Sequence, residues 1–266
     1  MVAAPGEERT ILLTGATGFV GGAVRPALHA AGWHVRGLTR DAARAARQAP
    51  GFDWVEGDVA DRQAMIHALQ GADAALYLVH GIREGAGYHE REVAAAASFA
   101  AVAAQAGVQR IVYLGGVAPT GPGSEHLRSR VDVGETLRAG TVPTIELRAS
   151  MIVGHGSLSW LIVRDLAARL PVMILPRWLR SRTEPVAIDD VVVALVRALD
   201  LPIEANTWFD LPGPEILSGK EFLDRTAVLM GLGAPLAIDV PFLSPRLSSL
   251  WIRMVTRADW SVAREV

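Results

Sequence analysis

Short apolar runs and helix-spaced apolar positions take turns along the first 150 residues. Thr10 to Thr14, Trp33 to Thr39, Asp53 to Glu56, Ala74 to Val79, Arg110 to Leu114 and Thr144 to Arg148 read as buried strands. Between them, helical spacing runs from Phe19 to Ala31, Asp41 to Ala49, Asp61 to Gly71, Tyr88 to Ala106 and Ser124 to Ala139. Gly32 and Gly107 stand where helix-terminating glycines belong, and Pro50-Gly51 breaks the chain. Strands spaced by helices in this rhythm predict a doubly wound parallel sheet covered on both faces.

Beyond residue 150 the rhythm loosens. Helices are predicted over Leu158 to Leu170, Asp189 to Leu199 and Ser218 to Met230, with a strand over Asn206 to Leu211. Ser218 and Glu221 have capping-box spacing. Pro176 to Thr183 is a basic loop carrying Arg177, Arg180 and Arg182. Leu247, Leu250, Trp251 and Met254 have helical spacing suited to core or a dimer surface. The organisation expected is a flexible tail over 1–9, a core over 10–150, and remaining core elements with a small C-terminal substrate lobe over 151–266. That lobe is expected to supply the substrate side of the cleft.

Composition narrows the function. Half of the residues are hydrophobic and the net charge is −2, without a polybasic run, so nucleic acid is not an expected partner. The absence of cysteine removes disulfides, thiolate metal sites and cysteine nucleophiles. No charge-free apolar stretch has spanning length and the start lacks a signal-peptide pattern, so a cytoplasmic protein is expected. The histidines lack metal-ligand spacing, and Gly154-His155-Gly156-Ser157 does not match a hydrolase elbow.

Chemistry enters with Thr14-Gly15-Ala16-Thr17-Gly18-Phe19-Val20-Gly21, a glycine-every-third pattern between the first strand and first helix. Gly15 permits a tight turn, Gly18 lets backbone approach a pyrophosphate, and Gly21 lets helix pack on strand. The helix N-terminus favours an anion by roughly 0.3–1 kcal/mol per charge. This turn predicts a Rossmann-type dinucleotide site comprising Gly15, Thr17, Gly18, Phe19, Val20, Gly21, Arg40, Asp58, Val59, Val79 and His80. Where an NAD site usually carries an acid, the second strand ends in Thr39-Arg40. Arg40 suits a 2′-phosphate, which favours NADP(H) over NAD(H). The alternatives are a solvated Arg40 and a turn-capping Asp58.

These residues resemble the short-chain dehydrogenase/reductase superfamily in its atypical and extended branches, including NmrA-like and NAD-dependent epimerase-like proteins. TGATGFVG matches the glycine motif, and Asp58 the adenine-side aspartate. Tyr77-Leu78-Val79-His80, Tyr113-Leu114-Gly115-Gly116, Glu146-Leu147-Arg148 and Val186 to Val191 fall where the later motifs lie. The resemblance covers about residues 10 to 215 and implies fold and cofactor rather than substrate. It includes quinone and isoflavone reductases, redox-sensing regulators and respiratory accessory subunits.

The departure is at the reacting centre. Where the superfamily implies Ser and Tyr-x-x-x-Lys, this chain has Gly116, His126 and Arg130, and its only lysine is Lys220. His126, with an ordinary imidazole pKa of ~6.5, is expected to exchange a proton together with His80 or Tyr88. Arg130 is expected to hold the ribose hydroxyls. The alternative places His126 on the helix surface. An NADP(H)-dependent oxidoreductase acting on an unidentified small molecule is therefore expected, with a homodimer possible. The alternative is a non-catalytic NADP(H)-sensing regulator or accessory subunit. Quinones and enones demand less protein acid than simple ketones.

Overall fold

The structure, a computed structural model, describes residues 9–80, 87–119, 121, 124–169, 172–175, 180–233 and 236–239. Residues 1–8 of the expected tail, 176–179 of the basic loop and the segment 241–255 lie outside these residues.

Alternating elements build the first unit: β1 (Arg9–Leu13), α1 (Phe19–Ala30), β2 (Trp33–Thr39), α2 (Ala42–Gln48), β3 (Asp53–Glu56), α3 (Arg62–Leu69), β4 (Ala74–Tyr77), α4 (Tyr88–Gln105), β5 (Arg110–Gly116), α5 (Glu125–Arg138) and β6 (Thr144–Ala149). The predicted rhythm holds. The main difference is β4, which ends at Tyr77 and leaves Leu78, Val79 and His80 beyond the strand. Asp41 and Asp61 cap α2 and α3, accepting hydrogen bonds from the Arg44 amide and from the Gln63 and Ala64 amides.

The sheet order is β11-β6-β5-β4-β1-β2-β3, where β11 is Thr207–Leu211. The pairs β1/β2, β2/β3, β1/β4, β4/β5 and β5/β6 are all parallel. Crossing back over β1 after β3 creates the switch point where doubly wound sheets place ligands. Leu12, Ala75, Tyr77, Ile111 and Tyr113 join α3, α4 and α5 in one core, with Phe99 and Leu137 at its centre. Of the described residues, this unit takes those between 9 and 149 and those of 189–210, so most of α7 (Ile188–Asp200) and β11 return to it.

The second unit takes the described residues between 150 and 188 and between 211 and 239. It contains β7 (Ile152–Val153), α6 (Leu158–Arg169), β8 (Val172–Leu175), β9 (Arg182–Thr183), β10 (Val186–Ala187), β12 (Leu217–Ser218), α8 (Gly219–Leu229) and β13 (Leu236–Asp239). These strands form three two-stranded ladders, β7/β10, β9/β12 and β8/β13. The Ser218–Glu221 capping box is present at α8, and Trp160 packs on Phe222 with centroids 6.1 Å apart. Among the described residues, no helix is long and apolar enough to cross a membrane.

Candidate functional site

Thr14 ties the end of β1 to β4. Its Oγ1 donates to the Leu76 carbonyl at 3.3 Å and accepts from the Leu78 amide at 3.0 Å. Gly15 then turns with φ +65°, and a β-carbon there would stand 2.9 Å from the Leu78 carbonyl oxygen. The Gly18 amide donates back to the Gly15 carbonyl at 2.9 Å, which folds the turn tightly. A β-carbon at Gly21 would lie 2.3 Å from the Gly15 oxygen, so only glycine lets α1 pack this close. α1 has no acidic residue in its first turn, which leaves its positive end free of a competing carboxylate.

Beside this turn opens a cleft of about 700 Å³, lined wholly by residues of the first unit. Gly15, Thr17, Arg40, Asp58, Val59, Val79 and His80 all line it. Gly18, Phe19, Val20 and Gly21 do not; they form the turn and helix start behind its edge.

The β2 end of the cleft carries two guanidinium groups, with Asp41 and Asp58 beside them. Arg40 and Arg44 both line it and are exposed, and neither forms an ion pair among the described residues. Asp41, which could have opposed an anion, accepts from the Arg44 amide at 2.8 Å as the α2 cap. Asp58 Oδ1 accepts from the Ala60 amide at 2.9 Å, so the turn-capping role and a place on the cleft coexist. Arg44 was missed by the sequence pattern, because nothing in helical spacing distinguishes it from a solvated arginine.

At the β4/β5 end, Tyr77 and Tyr113 form the floor, edge to face at 6.0 Å. Burial holds the Tyr77 phenol well above its ordinary range, and Tyr113, Glu92 and Asp58 push the same way. Burial also raises Tyr113, although Arg130 opposes it. Both phenols therefore stay protonated near neutrality, unlike a tyrosine activated for proton exchange. Tyr113 donates to the Arg130 carbonyl at 3.1 Å, and Ser129 Oγ donates to Glu92.

The four expected catalytic residues are only partly gathered. His80 and Arg130 line the cleft. His126 is half-buried and is not among the lining residues; its ring stands edge-on to His80 at 6.1 Å. The expectation of an ordinary imidazole is corrected: burial, then the Arg130 charge, lower His126 to about 4. Tyr88 is buried and is not among the lining residues. Arg130 Nη2 donates to the Leu114 carbonyl at 2.8 Å, and its Nε is buried without a partner. Lys220 pairs with Asp224 on its own helix.

The NmrA-like family profile matches residues 7–151. A reductase of (4-alkanoyl-5-oxo-2,5-dihydrofuran-3-yl)methyl phosphate from Streptomyces griseus is 31% identical over 240 residues, spanning 86% of this chain and 76% of the relative. In fold, the chain resembles a short-chain dehydrogenase/reductase superfamily protein from Agrobacterium tumefaciens with bound NAD (TM-score 0.70, 24% identity, 97% and 95% of the two chains). It also resembles the Citrobacter sp. triphenylmethane reductase complexed with NADP(H) (TM-score 0.76, 18% identity, 96% and 86%). The profile spans more than half of the sequence, and the sheet order is that of a Rossmann fold: the chain belongs to the NmrA-like family, within the atypical short-chain dehydrogenase/reductases.

Proposed function

We propose that this chain is an NADP(H)-dependent reductase of conjugated carbonyl compounds. The observation that carries the cofactor half is the joining, in one cleft, of a turn that excludes β-carbons with the unpaired guanidinium groups of Arg40 and Arg44. In this reading the helix-start amides of Phe19, Val20 and Gly21, with Thr17 beside them, hold the pyrophosphate, and Gly15 and Gly18 let it come close. Arg40 and Arg44 hold the 2′-phosphate as charge-assisted donors. Asp58 and Val59 border the adenine, and Val79 and His80 the nicotinamide. When bound, the reduced nicotinamide supplies hydride.

The substrate half rests on what the reacting end lacks. No lysine lines the cleft, and both floor phenols are held protonated. A saturated ketone becomes a strongly basic alkoxide on reduction and needs a competent acid. A conjugated acceptor becomes an enolate, a much weaker base that hydrogen bonds can stabilise. The Streptomyces griseus relative is named for a substrate of this kind, an alkanoyl-bearing dihydrofuranone.

Cofactor oxidation should be followed with a quinone, an acyl butenolide and a saturated ketone in parallel. Turnover with the conjugated acceptors and none with the ketone is the expected result. Bound NADPH with no turnover on any of them overturns the reductase reading.

A further inference from the structure

Arg130 lines the cleft as a half-buried cation that joins no ion pair among the described residues. Glu92, the carboxylate lining the same end, accepts from Ser129 instead. The side-chain hydrogen bond of Arg130 runs from Nη2 to the Leu114 carbonyl at 2.8 Å. Its Nε lies 3.0 Å from the point where a β-carbon on Gly116, the last residue of β5, would stand. The guanidinium is thus anchored across the carboxyl end of β5, the edge at which doubly wound sheets hold ligands. Nε is buried without a partner; Nη1 carries no hydrogen bond and is not buried, which leaves it the donor open to the cleft.

A half-buried charge with so few partners loses hydration that nothing in the free protein returns, so it calls for an explanation. The phosphates of the proposed cofactor do not supply the missing anion. In the sheet, β5 stands two places from β1 and three from β2. At about 4.8 Å per strand, this puts Arg130 ~10 Å from the strand of the glycine turn and ~14 Å from the strand that ends at Arg40. Ribose hydroxyls, which the resemblance gives to this position, ask for a donor but not for a charge. β4, which leads into Val79 and His80, is the direct neighbour of β5. The negative charge that Arg130 meets therefore belongs to the reacting end.

We infer that Arg130 is the oxyanion donor of the reaction: its fixed charge, through Nη1–H, holds the carbonyl oxygen of the conjugated acceptor as that oxygen turns negative. The inference rests on the reductase reading and assigns a catalytic residue within it. The β-carbon of the acceptor gains a hydrogen with its electron pair from the reduced dinucleotide. The carbon–carbon π pair moves to join the α-carbon to the carbonyl carbon, and the carbonyl π pair moves to the oxygen. Water delivers the proton to the α-carbon, because a guanidinium keeps its own protons. A preset cationic donor needs no reorganisation as the charge forms, which is what lowers the barrier.

The probe 4-nitrophenol tests this site apart from turnover, since its coloured phenolate presents a conjugated oxygen anion. Titrated with the protein loaded with NADP+, the bound phenol should ionise about 1–3 pH units below the free phenol. Arg130→Gln should abolish that lowering, and Arg130→Lys, which restores the charge, should recover part of it. With a conjugated acceptor, Arg130→Gln should lower kcat by about 100-fold and leave KM nearly unchanged, since the oxygen is neutral before reduction. The affinity for NADPH should also stay nearly unchanged. A wild-type cleft with no preference for the phenolate, the same ionisation in a folded Arg130→Gln protein, or a loss confined to NADPH affinity overturns the inference. Absence of turnover with every acceptor, beside a retained preference for the phenolate, overturns the reductase reading instead.

Discussion

The Nε of Arg130 lies 3.0 Å, and its Cδ 3.1 Å, from the point where a β-carbon on Gly116 would stand. The resemblance to the short-chain dehydrogenase/reductases implies a serine and a lysine at these two places. Here the arginine occupies the space that the serine side chain would need, so the two departures form one adjustment. Gly116→Ser is expected to destabilise by about 1–2 kcal/mol. In a double-mutant cycle with Arg130→Ala, urea unfolding should give a coupling energy on the order of 1 kcal/mol. Additive effects would show that the contact carries no energy.

Neighbouring glycines of α1 should respond in opposite directions. A β-carbon at Gly21 meets backbone, 2.3 Å from the Gly15 oxygen and 2.8 Å from the Ala16 Cα. At Gly22 the nearest atom is the end of the Arg25 side chain at 3.9 Å. Gly21→Ala should destabilise by about 3 kcal/mol and weaken nucleotide binding, because turn and helix must separate. Gly22→Ala should stabilise by about 0.5–1 kcal/mol through helix propensity. Thermal unfolding of the two variants side by side checks the pair.

Glu146 is a buried carboxylate held from two directions. Arg148 donates from Nε at 2.9 Å and Nη2 at 3.2 Å, and Arg138 donates from Nε at 2.9 Å. Gly134 leaves room for it: a β-carbon there would come within 2.5 Å of the carboxyl carbon. Glu146→Ala should destabilise by about 3–5 kcal/mol, since it leaves the guanidinium of Arg148 buried without its anion. Denaturant unfolding checks this, and a loss below about 1 kcal/mol would assign Glu146 a marginal role.

His126 should write a pH dependence into stability. Its folded value, about 4, lies below the ordinary imidazole value. Between the two values the unfolded chain binds a proton that the folded chain does not. This contribution is fully present above about 6.5, falls as pH drops toward the folded value, and changes no further below it. Subtracting the urea profile of His126→Gln from that of the wild type isolates the effect. A difference that is flat from neutrality down to the folded value would contradict the burial of the neutral ring.

Elements with a period were legible in the sequence; contacts between distant residues were not. The alternation from Thr10 to Arg148 carries its own spacing, and Asp61 and the Ser218–Glu221 box signal helix starts locally. β7, β9, β10 and β12 are two residues each, too short to show any period, and Leu217 finds Thr183 only through the fold. The glycine turn was readable because its spacing is its mechanism. Arg44, Tyr77 and Tyr113 were not readable as cleft residues, since Arg44 resembles any helix-surface arginine and the tyrosines resemble core. His126 was found by position, but its neutral state comes from burial and Arg130, which spacing alone does not report.

In the proposed function the first unit binds NADP(H) in the cleft between the glycine turn and Arg40. The direct measurement is a parallel fluorescence titration with NADPH and NADH of the wild type, Arg40→Glu and Arg44→Glu. NADPH should bind more tightly than NADH, and each substitution should weaken NADPH by about 10–100-fold while leaving NADH nearly unchanged. Equal loss for both nucleotides, or no binding of either by the wild type, would contradict the account.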